Sequence, residues 1–175
     1  SFSSPVAKDQ FRLNGIKVML DETTGDLRPS QAELNKLVLA IHRTGLQVAI
    51  HAIEENAVQS ALSAIEHALD RFPRPDHRHR IEHCSVCSPD LSKRLASLGI
   101  VVVTQPSFLF YSGDRYLDTV PDHQLRHLYP IGSLLRAGIP VAGSSDCPIV
   151  SSNPLMGINS AVARKSETGQ ILGEA

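Results

Sequence analysis

The chain has 175 residues, 42% of them hydrophobic, and its 17 Lys and Arg residues against 18 Asp and Glu residues leave a formal net charge of −1. This length suits one domain with a sizeable core, and the charge balance excludes a nucleic-acid reader, which needs a basic face. No apolar run approaches the roughly 20 residues of a membrane span, so we expect no membrane partner. Three cysteines are too few for a disulfide scaffold, which predicts a cytoplasmic protein.

The first half of the sequence predicts two strand–helix units. Apolar, β-branched runs predict strands at residues 15–20 and 46–51. Between them, Ser30 and Glu33 have the spacing of a capping box that begins a helix. Helical spacing of apolar residues predicts a second helix over about residues 54–72.

The second half continues the same alternation. Predicted strands cover residues 79–83, 100–105 and 139–144, and predicted helices cover residues 89–98, 131–137 and 154–165. One connection, residues 107–130, is long and holds five of the chain's aromatic side chains. Connections longer than about 15 residues are usually functional loops or disordered, and the aromatic density favours a functional loop or one that covers a hydrophobic patch.

Five predicted strands separated by helices indicate parallel β/α units with right-handed crossovers, so the predicted fold class is α/β. Two architectures accept this order: part of a TIM (β/α)8 barrel, or a complete five-stranded doubly wound sheet. A doubly wound nucleotide binder needs a glycine-rich phosphate turn after its first strand. Here the first strand runs into residues 21–24 (DETT), which cannot cradle phosphate. The partial barrel is therefore the favoured prediction.

Polar side chains lie in or just beyond four of the predicted strands: Lys17, His51, His83 and Asp146. A barrel directs such residues to one catalytic face. Neutral imidazole and carboxylate groups bind zinc and other divalent metals, and a carboxylate can also take a proton from metal-bound water. Plainer interpretations are histidines that cap strands, an aspartate that caps a turn, and a lysine that pairs with a carboxylate or extends to solvent, since a bare ammonium is costly to bury.

Two further clusters carry cysteine and histidine. Cys84 and Cys87 have the CxxC spacing of a redox or zinc motif, so a thiol redox module is an alternative function. The sequence has no second CxxC that would complete a structural zinc site. His77 and His79 lie among charged neighbours, which predicts a solvated strand edge.

Five segments occur in an order and spacing that resemble one known family. They are GIK at residues 15–17, VAIHAI at 48–53, HRIEHC at 79–84, QPSFL at 105–109 and SDCP at 145–148. Together they resemble the amidohydrolase superfamily, and more narrowly its type-3 branch, which includes N-substituted formamide deformylase-like proteins.

The resemblance implies a metal-dependent hydrolase barrel in which this chain supplies the fourth to eighth strands. It implies that Lys17 is a fourth-strand lysine that can be carboxylated and bridge two metals, and that His51 and His83 are the fifth- and sixth-strand metal ligands. Asp146 matches the eighth-strand aspartate, which binds metal and acts as general base. The implied cofactor is a divalent metal, zinc, with one or two ions in the full-length protein. The implied substrate is a small-molecule amide whose C–N bond is cleaved by metal-activated water.

The chain also departs from the family pattern. Where the family continues from its fifth-strand histidine with Gly-Asp-Arg, residues 54–56 read EEN, so we expect a different loop and a lost substrate contact. The family's first-strand H-x-H pair is not found, so we expect a fragment: a lead-in at 1–14, a partial barrel at 15–165 and a truncated tail at 166–175. The alternative function is a non-catalytic half-barrel that associates through its open edges, with a second copy or with a missing N-terminal half.

Overall fold

The structure, a computed structural model of the chain, describes residues 13–22 and 25–173. Most of the predicted lead-in, two residues of the segment 21–24 and the last two residues of the predicted tail lie outside these ranges.

The described residues alternate between strands and helices as predicted, and each predicted element is present with ends that agree within two residues. The strands are β1 (Gly15–Met19), β2 (Gln47–Ala52), β3 (Arg80–His83), β4 (Val101–Thr104) and β5 (Val141–Gly143). The helices are α1 (Gln31–Arg43), α2 (Glu55–Arg71), α3 (Pro89–Ser97), α4 (Ser107–Thr119), α5 (Asp122–Leu125), α6 (Ile131–Arg136) and α7 (Pro154–Ala163). In the described part of the chain, no helix combines the length and apolar character needed to cross a membrane.

The order of the strands decides between the two predicted architectures. All four strand pairings are parallel, and the strands lie side by side in chain order, β1-β2-β3-β4-β5. A doubly wound sheet reverses its strand order at a switch point, and no reversal occurs here. Right-handed crossovers in one direction place the connecting helices on one face of the sheet, as in a TIM barrel. The doubly wound alternative is therefore wrong, and the sheet is a five-stranded arc of a β/α barrel.

Helix α1 begins at the predicted capping box. Ser30 donates from its backbone nitrogen and from Oγ to Glu33 Oε2, at 3.0 and 2.6 Å. The first of these bonds satisfies a backbone N–H group that the start of a helix leaves unpaired. The helix ends before Gly45, whose φ of 82° requires the left-handed conformation that glycine adopts without strain.

The main hydrophobic core lies between the sheet and helices α1, α2 and α3. Val48, Ile50 and Ala52, which alternate along β2, are fully buried on this face. The opposite face of the sheet is open, and Lys17 and Met19 of β1 are exposed there.

The long connection after β4 is largely helical, which corrects the prediction of a loop. Residues with low helix propensity, including Gly113, occupy the middle of α4. Tertiary packing stabilises the helix instead, because Leu109 and Gly113 pack against the segment that carries Leu172. A Cβ atom at Gly113 would lie 2.8 Å from both Leu172 Cδ1 and Ser166 Cβ, so only glycine permits this close approach.

The prediction of a solvated edge at His77 and His79 is wrong. His79 is fully buried, and its Nδ1 accepts a hydrogen bond of 3.0 Å from the backbone nitrogen of Val48. His79 Nε2 lies 2.8 Å from His42 Nδ1, and His77 Nε2 donates to the carbonyl oxygen of Leu98 at 2.8 Å. These partners come from the ends of α1 and α3 and the start of β2, which meet only in the folded chain.

Candidate functional site

Two of the predicted metal ligands, His51 and His83, lie side by side at the C-terminal edge of the sheet. Their ring centroids are 4.3 Å apart, and the ring planes are inclined at 70°. They meet because β2 and β3 are neighbouring parallel strands whose C-terminal ends share an edge. Side chains alternate between the two faces of a strand, so His83, two residues after Ile81, would be expected on the helix-covered face. Its φ of 73° turns the side chain to the other face instead. Such a conformation costs energy in a residue other than glycine and is typical of functional sites.

Gln105, which directly follows β4, fixes the orientation of His83. Its Oε1 lies 2.7 Å from His83 Nδ1, and its Nε2 donates to Ser144 Oγ at 2.9 Å and lies 3.4 Å from the carbonyl oxygen of Val103. A carbonyl oxygen can only accept, so the amide nitrogen faces Val103 and the amide oxygen faces His83. His83 Nδ1 therefore carries a proton, and Nε2 keeps a lone pair that can bind a metal.

Burial keeps both imidazoles neutral at neutral pH. It is the main cause that lowers the pKa of His51, and the charges of His83 and Lys17 lower it further, whereas the carboxylate of Asp146 acts in the opposite direction. Burial also lowers the pKa of His83, against the hydrogen bond to Gln105 and the charge of Asp146. Neutral imidazole is the form that binds metal ions. These influences also show that Lys17 and Asp146 lie within electrostatic range of the pair.

Lys17 lies on β1 and Asp146 lies in the turn after β5, so the two come from opposite sides of the histidine strands β2 and β3. Lys17 pairs with Ala49 in the register of β1 and β2. Asp146 follows β5, has a φ of 55°, and accepts a backbone hydrogen bond of 2.9 Å from Ile149. Within the described ranges, no group of three or more His, Cys, Asp or Glu side chains could hold a metal ion. The structure therefore brings the two histidines into contact, and in the described residues Asp146 does not complete a three-ligand group with them.

Gln105 is part of the QPSFL segment noted in the sequence, but the sequence alone assigns it no role at the site. Its side chain is 2% exposed, which is unusual for an amide unless its hydrogen bonds are satisfied. One sequence feature could have identified Gln105 as a site residue: it directly follows an apolar strand of the predicted barrel, at the edge of the sheet where the histidines also lie.

The CxxC pair lies in the hydrophobic core. Cys84 and Cys87 are free thiols and both are buried, whereas Cys147 is exposed. A hydrogen bond with Cys87 and burial raise the pKa of the Cys84 thiol well above its usual value. Redox catalysis needs an accessible thiolate, so the structure does not support the thiol redox alternative.

Comparison with known proteins agrees with the barrel arc. Residues 3–175 match the sequence profile of the amidohydrolase family. The chain belongs to the amidohydrolase family. It is 33% identical over 164 residues to YtcJ from Bacillus subtilis (strain 168), which covers 93% of this chain and 28% of that protein. It is 30% identical over 141 residues to the N-substituted formamide deformylase of Arthrobacter pascens, covering 80% of this chain and 26% of that enzyme.

A solved structure shows the same fold. An uncharacterized metal-dependent hydrolase from Pyrococcus horikoshii OT3 superimposes with a TM-score of 0.73 and 26% sequence identity, over 87% of this chain and 33% of that one. This member of the amidohydrolase family therefore spans a third or less of the length of each of these three relatives. The resemblance noted in the sequence and the predicted partial barrel are both confirmed.

Proposed function

We propose that the protein acts in a metal-dependent hydrolase that cleaves the C–N bond of a small-molecule amide, with a divalent metal, zinc, bound by Lys17, His51, His83 and Asp146. The observation that carries this proposal is the contact between His51 and His83 at the C-terminal edge of the sheet, where barrel enzymes place their catalytic groups. The relatives named as a formamide deformylase and as a metal-dependent hydrolase support the reaction class.

The donor chemistry of the histidine pair fits a divalent metal. Both imidazoles are held neutral, and the Nδ1 hydrogen bond from His83 to Gln105 is the kind of outer contact that fixes a metal-binding histidine. Two histidines plus oxygen ligands form a common zinc site. A bound divalent ion supplies a Lewis acid that polarises the amide carbonyl and acidifies a coordinated water.

Asp146 is the proposed proton carrier. Its carboxylate lies at the same edge as the histidines, within electrostatic range of both. A carboxylate in that position can accept a proton from the attacking water and then donate it to the leaving nitrogen. The exposed turn in which it lies leaves access for an amide substrate.

Lys17 can bind a metal only after chemical change. As an ammonium it lowers the pKa of both histidines, and for the same reason it repels a cation. Reaction of its neutral amine with carbon dioxide forms an N–C bond and releases one proton, leaving a carbamate whose two donor oxygens share one negative charge. The exposed position of Lys17 on the open face of β1 allows this reaction.

The test of the metal site is the metal content of dialysed protein, measured by native mass spectrometry with elemental detection. We expect about one equivalent of zinc per chain in the unsubstituted protein and a loss of most of it in His51→Ala and in His83→Ala. His123→Ala is the matched control, because His123 is an exposed histidine on α5, away from the pair. Less than about a tenth of an equivalent in the unsubstituted protein contradicts the proposed site.

Two further variants separate the roles of the oxygen ligands. Lys17→Ala should lose metal, and an added short-chain carboxylate should restore part of it if a carbamate was the ligand. No restoration leaves the carbamate without support. Asp146→Asn should abolish hydrolysis of N-acyl amines wherever the unsubstituted protein hydrolyses them, since the amide cannot carry the proton.

Association through open surfaces is a second candidate function, favoured by the exposed apolar side chains of α7. Leu155, Ile158 and Val162 are all exposed, and in the described chain β1 and β5 each pair on one side only. Apolar patches and open strand edges are typical of surfaces that bind another chain. Light scattering tests this function: a dimer of two copies supports it, and a monomer at every concentration contradicts it.

A further inference from the structure

Helix α4 presents one face to an open cleft. The residues on this face recur at helical spacing and are Phe108, Tyr111, Ser112, Arg115 and Tyr116. The opposite side of the helix carries Leu109 and Gly113, which are buried. At the edges of the aromatic face, Phe108 and Tyr116 pack against the core cluster that contains Leu109, whereas Tyr111 and Arg115 are exposed to the cleft.

The other wall of the cleft is the loop that follows Asp146. Cys147, Pro148 and Ile149 belong to this wall, and the cavity between the loop and α4 has a volume of about 810 Å³. This volume lies within the range of small-molecule sites. All of the residues that line the cavity belong to the described part of this chain.

Large apolar side chains in the walls of the cleft are open to solvent. Tyr111 is 41% exposed and Ile149 is 69% exposed, although large apolar side chains gain free energy when they are buried. Flat aromatic groups stack against aromatic walls and remove this surface from water. The cleft therefore suits an aromatic ring.

Arg115 supplies the only formal charge among the residues that line the cleft. Its Cζ lies 5.2 Å from the centroid of the Tyr116 ring, and it enters no ion pair within the described ranges. A guanidinium beside an aromatic wall binds carboxylates through paired hydrogen bonds. The charge of the cleft therefore favours an anionic aromatic group over a neutral or cationic one.

The cleft adjoins the histidine site along two chain segments. Cys147 directly follows Asp146, and Phe108 lies on the first turn of α4, just after Gln105, which holds His83. A molecule in the cleft thus lies next to the groups proposed to act on an amide.

We propose that this cleft binds an aromatic, carboxylate-bearing part of the substrate, so that the substrate class is an amide with an aromatic acid on one side of the C–N bond. Arg115 is the specificity-determining residue, and Tyr111 supplies the stacking surface. The substrate class rests on the proposed hydrolase function. Binding in the cleft does not, because it requires neither metal nor turnover.

Cys147 provides a direct readout of the cleft. It is the exposed cysteine, whereas Cys84 and Cys87 are buried, so a neutral reagent such as iodoacetamide should label Cys147 in the folded protein. A ligand in the cleft covers Cys147 and slows its alkylation, which peptide mass spectrometry follows residue by residue. The probes are 3-phenylpropanoate and its neutral counterpart, 3-phenylpropanamide, added to metal-free protein.

We expect 3-phenylpropanoate to slow the alkylation of Cys147 about tenfold at ten times its dissociation constant, and 3-phenylpropanamide to bind more weakly. Arg115→Gln should abolish the preference for the carboxylate, and Tyr111→Ala should weaken both probes. Arg126→Gln is the matched control, since Arg126 is an exposed arginine that does not line the cleft. Because Arg115 and Tyr111 are both exposed on one helix, neither variant removes core packing.

Three results would overturn the proposal. They are no protection by 3-phenylpropanoate, equal protection by the two probes, and a carboxylate preference that survives Arg115→Gln. The outcome is separable from the hydrolase proposal. If the histidine pair binds zinc but Cys147 is not protected, the proposed function stands and this inference is wrong. If Cys147 is protected but no zinc is bound, this inference stands and the proposed metal site is wrong.

Discussion

His79 Nε2 donates a hydrogen bond of 2.8 Å to His42 Nδ1 in the interior of the protein, and the other atoms of the two rings determine this direction. Val48 donates to His79 Nδ1, so that nitrogen must hold a lone pair and Nε2 must carry the proton. His42 Nε2 donates to the carbonyl oxygen of Phe72 at 2.6 Å, which leaves His42 Nδ1 as the acceptor. A proton added to either ring would break one of these bonds.

This arrangement predicts that acid destabilises the protein. Burial, with the charges of His77, His42 and Arg74, lowers the pKa of His79 from 6.5 to about 3. The unfolded chain binds a proton at His79 below pH 6.5, and the folded chain does so only near pH 3. The stabilisation is therefore complete above pH 6.5 and is lost as the pH falls towards 3, with a slope of about 1.4 kcal/mol per pH unit for this one proton.

Urea unfolding between pH 4 and 8 measures this slope. In His79→Gln the slope of the free energy of unfolding against pH should be smaller by the contribution of one proton, about 1.4 kcal/mol per pH unit. His123→Gln, on an exposed histidine, should keep the full slope. If the unsubstituted protein is equally stable at pH 4.5 and at pH 7, His79 does not titrate as the structure requires.

Gln105 offers a test of positioning at the histidine site. Gln105→Ala removes the acceptor that fixes His83 Nδ1. The imidazole ring can then rotate, and Nε2 is no longer held in the orientation that binds the metal. We expect zinc affinity to fall about 10- to 100-fold, the usual effect of losing such an outer contact. Competition with a chromophoric chelator measures the affinity.

Gln105→Asn and Gln124→Ala control for structural damage. Gln105→Asn keeps an amide but shortens it, so it should lose affinity with little change in the melting temperature. Gln124→Ala lies on α5, outside the site, and should bind zinc as the unsubstituted protein does. Equal zinc affinity in Gln105→Ala and the unsubstituted protein would mean that Gln105 does not position His83.

Much of this architecture follows from local sequence patterns, because strands and helices leave local signals. The run IVVVT, which contains β4, predicts a strand from local sequence alone. The Ser30–Glu33 capping box likewise predicts the start of α1. The position of His51 and His83 at strand ends was likewise predictable, because parallel strands bring their C-terminal ends to one edge.

The remaining features depend on contacts between distant segments. Strand alternation alone places His83 on the wrong face, and its φ of 73° is set by the folded surroundings. The burial of His79 depends on Val48 and on the end of α1, neither of which is adjacent in sequence. α4 forms against its propensity because Gly113 packs on Ser166 and Leu172.

The close contact at Gly113 predicts opposite effects for two helical glycines. In Gly113→Ala the new methyl group meets Leu172 Cδ1 and Ser166 Cβ at 2.8 Å, so α4 must shift and the protein should lose about 1–3 kcal/mol. Gly157, in α7, has no atom within 4 Å of its Cβ position. Gly157→Ala should therefore gain up to about 1 kcal/mol through helix propensity. Urea unfolding compares the two, and a neutral or stabilising Gly113→Ala contradicts the packing described for α4.

The guanidinium of Arg164 holds the C-terminal segment on the fold and provides the last prediction. Arg164 is 3% exposed and donates three hydrogen bonds, from Nε to the carbonyl oxygen of Leu172 at 2.9 Å and from its two terminal nitrogens to those of Tyr129 and Leu128 at 2.8 and 2.7 Å. Lysine keeps the charge but places its donors on one atom, so it cannot reach all three carbonyl groups. Each buried carbonyl left without a partner costs about 1–3 kcal/mol, and Arg164→Lys should lower the free energy of unfolding by about 2–4 kcal/mol.

Lys165→Ala is the matched control for Arg164→Lys, because Lys165 is the next residue and its side chain is exposed. Its free energy of unfolding should stay within about 0.5 kcal/mol of the unsubstituted protein. The loss in Arg164→Lys should also free the segment that carries Leu172, so amide hydrogen exchange at Leu172, whose nitrogen donates to the carbonyl oxygen of Arg164 at 2.9 Å, should quicken. Unchanged exchange there, together with unchanged stability, would show that the C-terminal segment is held by Leu172 packing and not by the arginine.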